Sequence, residues 1–283
     1  MLEAARSLRR LLETGTDRLR GAGLAEPRRQ ALRLWNDLGG ASPGLQHEAT
    51  VEPEEAARFE HAIARRLTGE PLPHVTGWVG FRHLSLKSDS RALIPRPETE
   101  GLVDLLLQRA RTGLVADIGT GTGCIALSLA GEGSFNRIVA TDRSPDALDL
   151  ARLNRELTGA EDSVEFLLAD LCAPLCRGML DALISNPPYL TSAEYASLDG
   201  SVRDWEPALA LEGGEDGLDA TTRLLQQGRA VLKPGGWLAL EVDCSRAGTA
   251  AARARGLGWE AVSIHVDLFG RERYLLAQRS ETR

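Results

Sequence analysis

Apolar positions in the first part of the chain recur at three- and four-residue intervals. Leu and Ala keep that spacing through residues 3–22, 26–38 and 53–67, interrupted by GAGLAEP and GGASPG, which predicts a small helical module. From Trp78 to Ile94 the pattern changes to alternation (FRHLSLKSDSRALI), as in a short hairpin. Pro97 to Arg111 reads as one amphipathic helix stopped by Thr112 and Gly113. Strand-like and helix-like segments then take turns: GLVADI and CIALSLAGE, RIVATD and SPDALDLARLNREL, VEFLLAD, MLDALISN, a long loop, DATTRLLQQGRAVL, GGWLALEV. Such alternation predicts βαβ units, hence an α/β fold with an open, mostly parallel sheet covered by helices on both faces. The tail WEAVSIHVDLFGRERYLLAQ reads as two strands joined at Phe269-Gly270-Arg271, an antiparallel hairpin closing the sheet. The domains expected from this pattern are a helical module over 1–72, a hairpin linker over 73–96 and a larger domain over 97–283.

Composition changes this picture little. The 283 residues are 43% hydrophobic and 26% charged, which is globular, and no apolar run is long enough to span a bilayer. The start, MLEAARSLRRLLET, has no signal-peptide apolar region, so a cytoplasmic protein is expected. Cys124, Cys172, Cys176 and Cys244 form no CxxC pair and no Cys/His cluster of zinc-site spacing, which argues for reduced thiols, no disulfide and no metal.

Charge is more informative. The net charge is -7, and residues 1 to 72 hold eleven Arg against eleven acidic residues, so the remainder, 22 basic against 29 acidic, carries the whole excess. An acidic larger domain is a poor partner for a phosphate backbone, and no direct nucleic-acid substrate is expected.

Two stretches carry candidate chemistry. VADIGTGTGCIALSLA places Asp117, Gly119, Thr120, Gly121, Thr122 and Gly123 where the first strand of the larger domain meets its helix. Glycine there lets the backbone approach a ligand, and the helix N-terminus adds donors and a positive dipole. The spacing is GxGxG rather than the dinucleotide GxGxxG, and the next strand ends in Asp142, an acid suited to both hydroxyls of a ribose. Together they point to a nucleoside ligand. In ISNPPYL, Ile184 to Leu190, two prolines remove two backbone donors and hold Asn186 and Pro187 out of helix and central strand. Taken alone, that stretch is either the wall of an acceptor-rich pocket or an ordinary strand exit.

At this point the sequence resembles a known family. DIGTGTG with the strand-end Asp142 is similar to the cofactor loop of class I S-adenosylmethionine-dependent methyltransferases, and NPPY resembles the tetrad of those that methylate a planar nitrogen. IPRPETE (94–100), GEPLPHVTG (69–77), WEPALALEGGEDGLD (205–219) and LKPGGWLALEV (232–242) resemble the protein-(glutamine-N5) methyltransferases of the HemK/PrmC type, which modify peptide chain release factors. The resemblance runs from about residue 65 to the C-terminus. It implies a Rossmann-like class I methyltransferase sheet, with the helical N-terminus as a substrate-recruiting domain, and S-adenosyl-L-methionine as cofactor, released as S-adenosyl-L-homocysteine. Gly119 to Gly123, with Asp117 just upstream, would wrap the methionine part of the cofactor. Asp142 would hold its ribose and Asp170 would lie beside its adenine, with Leu171 next to it. Asn186, Pro187, Pro188 and Tyr189 would hold the acceptor amide. The implied partner is the GGQ-containing domain of a release factor, and a monomer is expected.

The chemistry suits such a tetrad. A carboxamide nitrogen is a poor nucleophile because its lone pair is delocalised, so binding must orient it. Acceptors at the Asn186 side chain and the Pro187 carbonyl would fix the nitrogen and stabilise its developing charge, with Tyr189 against the flat amide. No general base is nominated.

Other residues keep plainer readings. His74 is a loop or packing histidine, and Trp205 and Pro207 buttress a loop. Arg96 faces the cofactor pocket or pairs with Glu98 or Glu100; Glu241 lines the pocket or caps a turn. Three features depart from the family pattern: Leu171 where an aromatic residue can meet the adenine, Asp243-Cys244-Ser245-Arg246 in place of a glycine-containing turn, and Pro73-His74. Rival readings are a glutamine methyltransferase for a ribosomal protein, an adenine-N6 or guanine-N2 nucleic-acid methyltransferase, and a silent cofactor-binding scaffold.

Overall fold

A computed structural model describes residues 7–39 and 50–281. The chain forms two compact units, residues 1–78 with 199–205, and residues 79–198 with 206–283. Residues 3–6 of the first expected helix and 40–44 of GGASPG lie outside the described residues.

The first unit is helical: α1 (Leu8–Gly21), α2 (Pro27–Asp37), α3 (Pro53–Leu67) and α4 (Leu72–Thr76). Ser7 caps α1 through its side chain, and Pro27 and Pro53 begin their helices where a missing N–H costs nothing. The periodic Leu positions bury Leu8, Leu11, Leu19 and Leu34 with Ile63, and Trp35 meets Phe59 edge-on at 5.9 Å. The α4 turn was not expected. It lies in GEPLPHVTG across the position where a hairpin linker was expected to begin, and it buries His74.

The second unit opens with the hairpin β1 (Trp78–Phe81) and β2 (Leu84–Lys87). Its turn is tied down by Arg82, which donates to Glu132 at 2.6 and 2.7 Å and to Asp104 at 2.7 Å. Then follow α5 (Pro97–Leu107), β3 (Thr112–Ile118), α6 (Cys124–Glu132), β4 (Ser134–Asp142), α7 (Pro145–Thr158), β5 (Val164–Leu168) and β6 (Leu180–Ser185). The chain closes with α8 (Ser192–Ala196), α9 (Gly200–Arg203, part of the first unit), α10 (Asp219–Val231), β7 (Leu232–Glu241), α11 (Ala247–Gly256), β8 (Trp259–Val266) and β9 (Glu272–Arg279).

The seven strands run in the order β5-β4-β3-β6-β7-β9-β8. β3 to β7 pair in parallel, and β9 joins β7 and β8 antiparallel. Alternation along each strand feeds two cores. Val115, Ala182, Ile184, Ala239 and Leu276 pack on the side of α5, α6 and α7, while Ala116, Leu183, Leu238, Leu240 and Leu275 pack on the side of α10 and α11. The strand order reverses between β3 and β6, so a crevice opens at their carboxyl ends, the usual ligand position in such sheets.

Two expectations need correction. The helix expected to reach Arg111 ends at Leu107, because Arg109 and Ala110 close the turn on the Leu106 carbonyl and Thr112 and Gly113 already pair with β4. Helix α11 was missed because its apolar stripe is made of alanines only, Ala247, Ala250, Ala251 and Ala254, all buried. Among the described residues no helix is long and apolar enough to cross a membrane.

Candidate active site

The glycine turn follows β3. Gly119, Gly121 and Gly123 have φ of 72°, 56° and 84°, a region that side chains other than glycine's seldom allow. The Gly119 and Thr120 amides both donate to the Thr141 carbonyl at 2.8 and 2.9 Å, and the Gly121 amide donates to Asp142 Oδ2 at 2.9 Å. The end of β4 therefore sets the curvature of the loop after β3. Asp117 is wholly buried behind it, where Oδ2 accepts from Thr120 Oγ1 at 2.7 Å and from the Ala126 amide at 3.1 Å. Burial pushes its carboxyl up to about 7, against those two hydrogen bonds.

A cavity of about 340 Å³ opens above this turn. Gly119, Thr120, Gly121, Thr122, Asp142, Asp170, Leu171 and Asn186 all line it. Asp117 and Gly123 do not; Gly123 instead lies where a Cβ would press on Leu127, Ala151 and Phe166. Asp142 accepts from the Ser144 amide at 2.9 Å as well as from Gly121, and each oxygen keeps a further lone pair. Asp170 is held by Arg223 at 2.5 Å, which lowers its carboxyl, and Leu171 sits at φ 53° with its carbonyl accepting from Thr141 Oγ1.

Across the cavity stands the turn after β6. Asn186 and Pro188 line it, whereas Pro187 and Tyr189 stand behind. Pro187 is buried, and burial pushes the Tyr189 phenol up to about 12. The turn is clasped by the WEPALALEGGEDG segment: the Leu190 amide donates to the Leu211 carbonyl at 3.0 Å, and the Gly213 amide to the Leu190 carbonyl at 2.7 Å. A Cβ on Gly213 would lie 2.5 Å from the Pro188 carbonyl oxygen, so only glycine lets the segments approach this closely. Asn186 Nδ2 donates to Thr99 Oγ1 at 3.1 Å, and Thr99 Oγ1 donates to Glu241 Oε2 at 2.8 Å.

The open alternatives resolve in detail. Arg96 lines the cavity and pairs with Glu206 at 2.5 Å, not with Glu98 or Glu100. Glu206 also accepts from the Ile94 amide at 3.0 Å, so Glu206 pins the start of IPRPE. Pro207 lines the cavity rather than merely supporting a loop. Glu241 neither lines the cavity nor caps a turn; it accepts from Thr99 and faces Arg273 at 3.9 Å. Thr99, Glu206, Gly213 and Arg223 were missed as site residues. The family-like strings IPRPETE and WEPALALEGGEDG contain three of them, which was the available signal. The departing turn 243–246 supplies Arg246, which binds Glu194 at 2.6 and 2.7 Å and the Asp216 carbonyl at 2.9 Å.

The chain is similar to known proteins along most of its length. Residues 97–199 match the family model of the methyltransferase small domain, and residues 10–77 that of the PrmC N-terminal domain. The chain is 42% identical to the release factor glutamine methyltransferase of Deinococcus radiodurans, over 96% of this chain and 99% of that one. It is 38% identical to the protein of that name from Mycolicibacterium smegmatis, over 96% and 98% of the two chains. Among solved structures, a methyltransferase from Pyrococcus furiosus shares the fold at 19% identity, with a TM-score of 0.53 over 81% of this chain and 100% of that one.

Proposed function

The chain belongs to the family of release factor glutamine methyltransferases, and from that premise we propose that it methylates the side-chain amide nitrogen, N5, of the glutamine in the Gly-Gly-Gln sequence of a peptide chain release factor. The methyl donor is S-adenosyl-L-methionine, which leaves as S-adenosyl-L-homocysteine. One observation carries the reading: the glycine turn with Asp142 and the Asn-Pro-Pro-Tyr turn bound a single cavity.

The residues present suit that cofactor. The amide-rich turn opens the nine-residue helix α6, Asp142 offers carboxylate oxygens for a diol, and Ala147 and Leu171 give apolar surface near Asp170 for a base. When bound, the cofactor supplies an electrophilic methyl group carried on a sulfonium. Asn186 Oδ1, which lines the cavity, accepts from the substrate amide, orienting its nitrogen and stabilising the positive charge that grows there; the Pro187 carbonyl, expected as a second acceptor, belongs to a residue that does not line the cavity. The flat substrate amide would lie beside Pro188, which lines the cavity, with Tyr189 behind the turn. Two glycines before the glutamine let that side chain extend without collision.

The helical first unit recruits the release factor. Because both walls of the cavity belong to one unit of one chain, a monomer suffices, and a substrate taken from translation places the enzyme in the cytoplasm. The test offers purified release factor, ribosomal protein and DNA side by side with labelled methyl donor. Label in the release factor supports the reading, label in the ribosomal protein moves the substrate, and label in DNA overturns it.

A further inference from the structure

An asparagine amide is nearly symmetric in shape, so packing alone does not decide whether its oxygen or its nitrogen faces a ligand. For Asn186 the choice matters. A substrate amide nitrogen brings donors, and a reversed Asn186 would set NH2 against NH2. Something other than shape must select the orientation.

We propose that Thr99 and Glu241 are positioning residues that hold the Asn186 amide with its oxygen toward the substrate. The proposal rests on the reading of Asn186 as acceptor of the glutamine amide. A hydroxyl has one proton and two lone pairs. An ionised Glu241 only accepts, so the Thr99 proton is committed to Oε2 at 2.8 Å, and Thr99 presents a lone pair to Asn186 at 3.1 Å. Only the NH2 end of Asn186 satisfies that lone pair, which leaves Oδ1 for the cavity. Thr99 is 3% and Glu241 1% exposed, so water does not substitute for either bond.

The device depends on the charge of Glu241. Burial pushes that carboxyl up to about 7, against the Thr99 hydrogen bond and the attraction of Arg273, whose Nη1 is 3.9 Å from Oε1. Glu98 on α5 and Asp267 beyond β8 act in the same direction as burial, and the Tyr189 and Tyr274 phenols and the Cys124 thiol of α6 also face Glu241. Once protonated, Glu241 is itself a donor. Thr99 is then free to turn its proton toward Asn186, and the amide loses its imposed direction. Amide methylation should therefore weaken as the pH falls through about 7.

The test uses the full chain with a release factor and S-adenosyl-L-methionine. Thr99→Val keeps the shape but removes both hydrogen bonds, and kcat should fall by about tenfold or more while cofactor Kd stays within about twofold. Thr99→Ser should restore kcat to within about threefold of wild type. Glu241→Gln should run at a reduced kcat with the low-pH decline flattened. Wild-type activity on glutamine combined with unchanged kcat in Thr99→Val, or an identical pH profile in Glu241→Gln, would overturn the positioning role. If Thr99→Val does not fold, the pH profiles of wild type and Glu241→Gln decide alone. Failure of the wild type to label glutamine is a different result, and it removes the proposed function itself.

Discussion

The turn at Gly119–Gly123 is held from the ends of two adjacent strands, β3 and β4, whereas the turn at Asn186–Tyr189 is also tied to Thr99, 87 positions earlier in the chain. In the first, backbone conformation and the carbonyl of Thr141 at the end of the next strand set the path. Asp117, three residues from Thr120, holds it from behind. In the second, two prolines fix only φ, and the rest comes from the Leu211–Gly213 clasp and from Thr99, 87 positions away. The proposed cofactor surface is gathered from the carboxyl ends of β3, β4 and β5. The surface that must orient a reacting group is held by the assembled fold.

The largest expected effect tests the second wall at its centre. Asn186→Ala removes an orienting acceptor, and kcat should fall on the order of a hundredfold or more with a smaller change in cofactor affinity, measured by steady-state kinetics and calorimetry. A loss confined to cofactor binding would merge the two walls into one. Next, Asp142→Ala should weaken cofactor binding by roughly 1 to 3 kcal/mol, read by calorimetry, since it removes a charged acceptor that also fastens Gly121. Gly213→Ala should lower kcat by about tenfold and stability by about 1 to 3 kcal/mol, because its methyl collides with the Pro188 carbonyl. Unchanged kcat there would mean that the prolines alone shape the turn.

The smallest effect concerns Asp117. Asp117→Asn keeps an acceptor for Thr120 and Ala126 and should alter cofactor affinity by less than about 1 kcal/mol. Its pH signature is sharper. The folded-state value is raised from 3.8 to about 7, so its contribution to stability is complete at low pH and is lost as pH rises through about 7. The Asn variant should flatten melting temperature across that window.

This contrast also explains what the sequence disclosed. The glycine turn, Asp142 and the strand–helix alternation were legible because periodicity and short spacings are local properties. The roles of Thr99 and Glu206 were not, since their partners Asn186 and Ile94 lie 87 and 112 positions away, and Gly213 was not because a close backbone approach leaves no mark in residue spacing. Helix α11 was missed for another reason: alanine carries too little apolar contrast to mark a face, although Ala247, Ala250, Ala251 and Ala254 repeat at helical spacing. Asp117 was read as a cofactor contact because residue type does not tell a carboxylate in front of a loop from one behind it.

The central claim is that one cavity brings a methyl donor to a glutamine amide. Its most direct test is mass mapping of a release factor after reaction with the full chain and S-adenosyl-L-methionine. The account predicts one added methyl, on N5 of the glutamine that follows two glycines. A methyl on another residue, or transfer to nucleic acid with none on that glutamine, would contradict it.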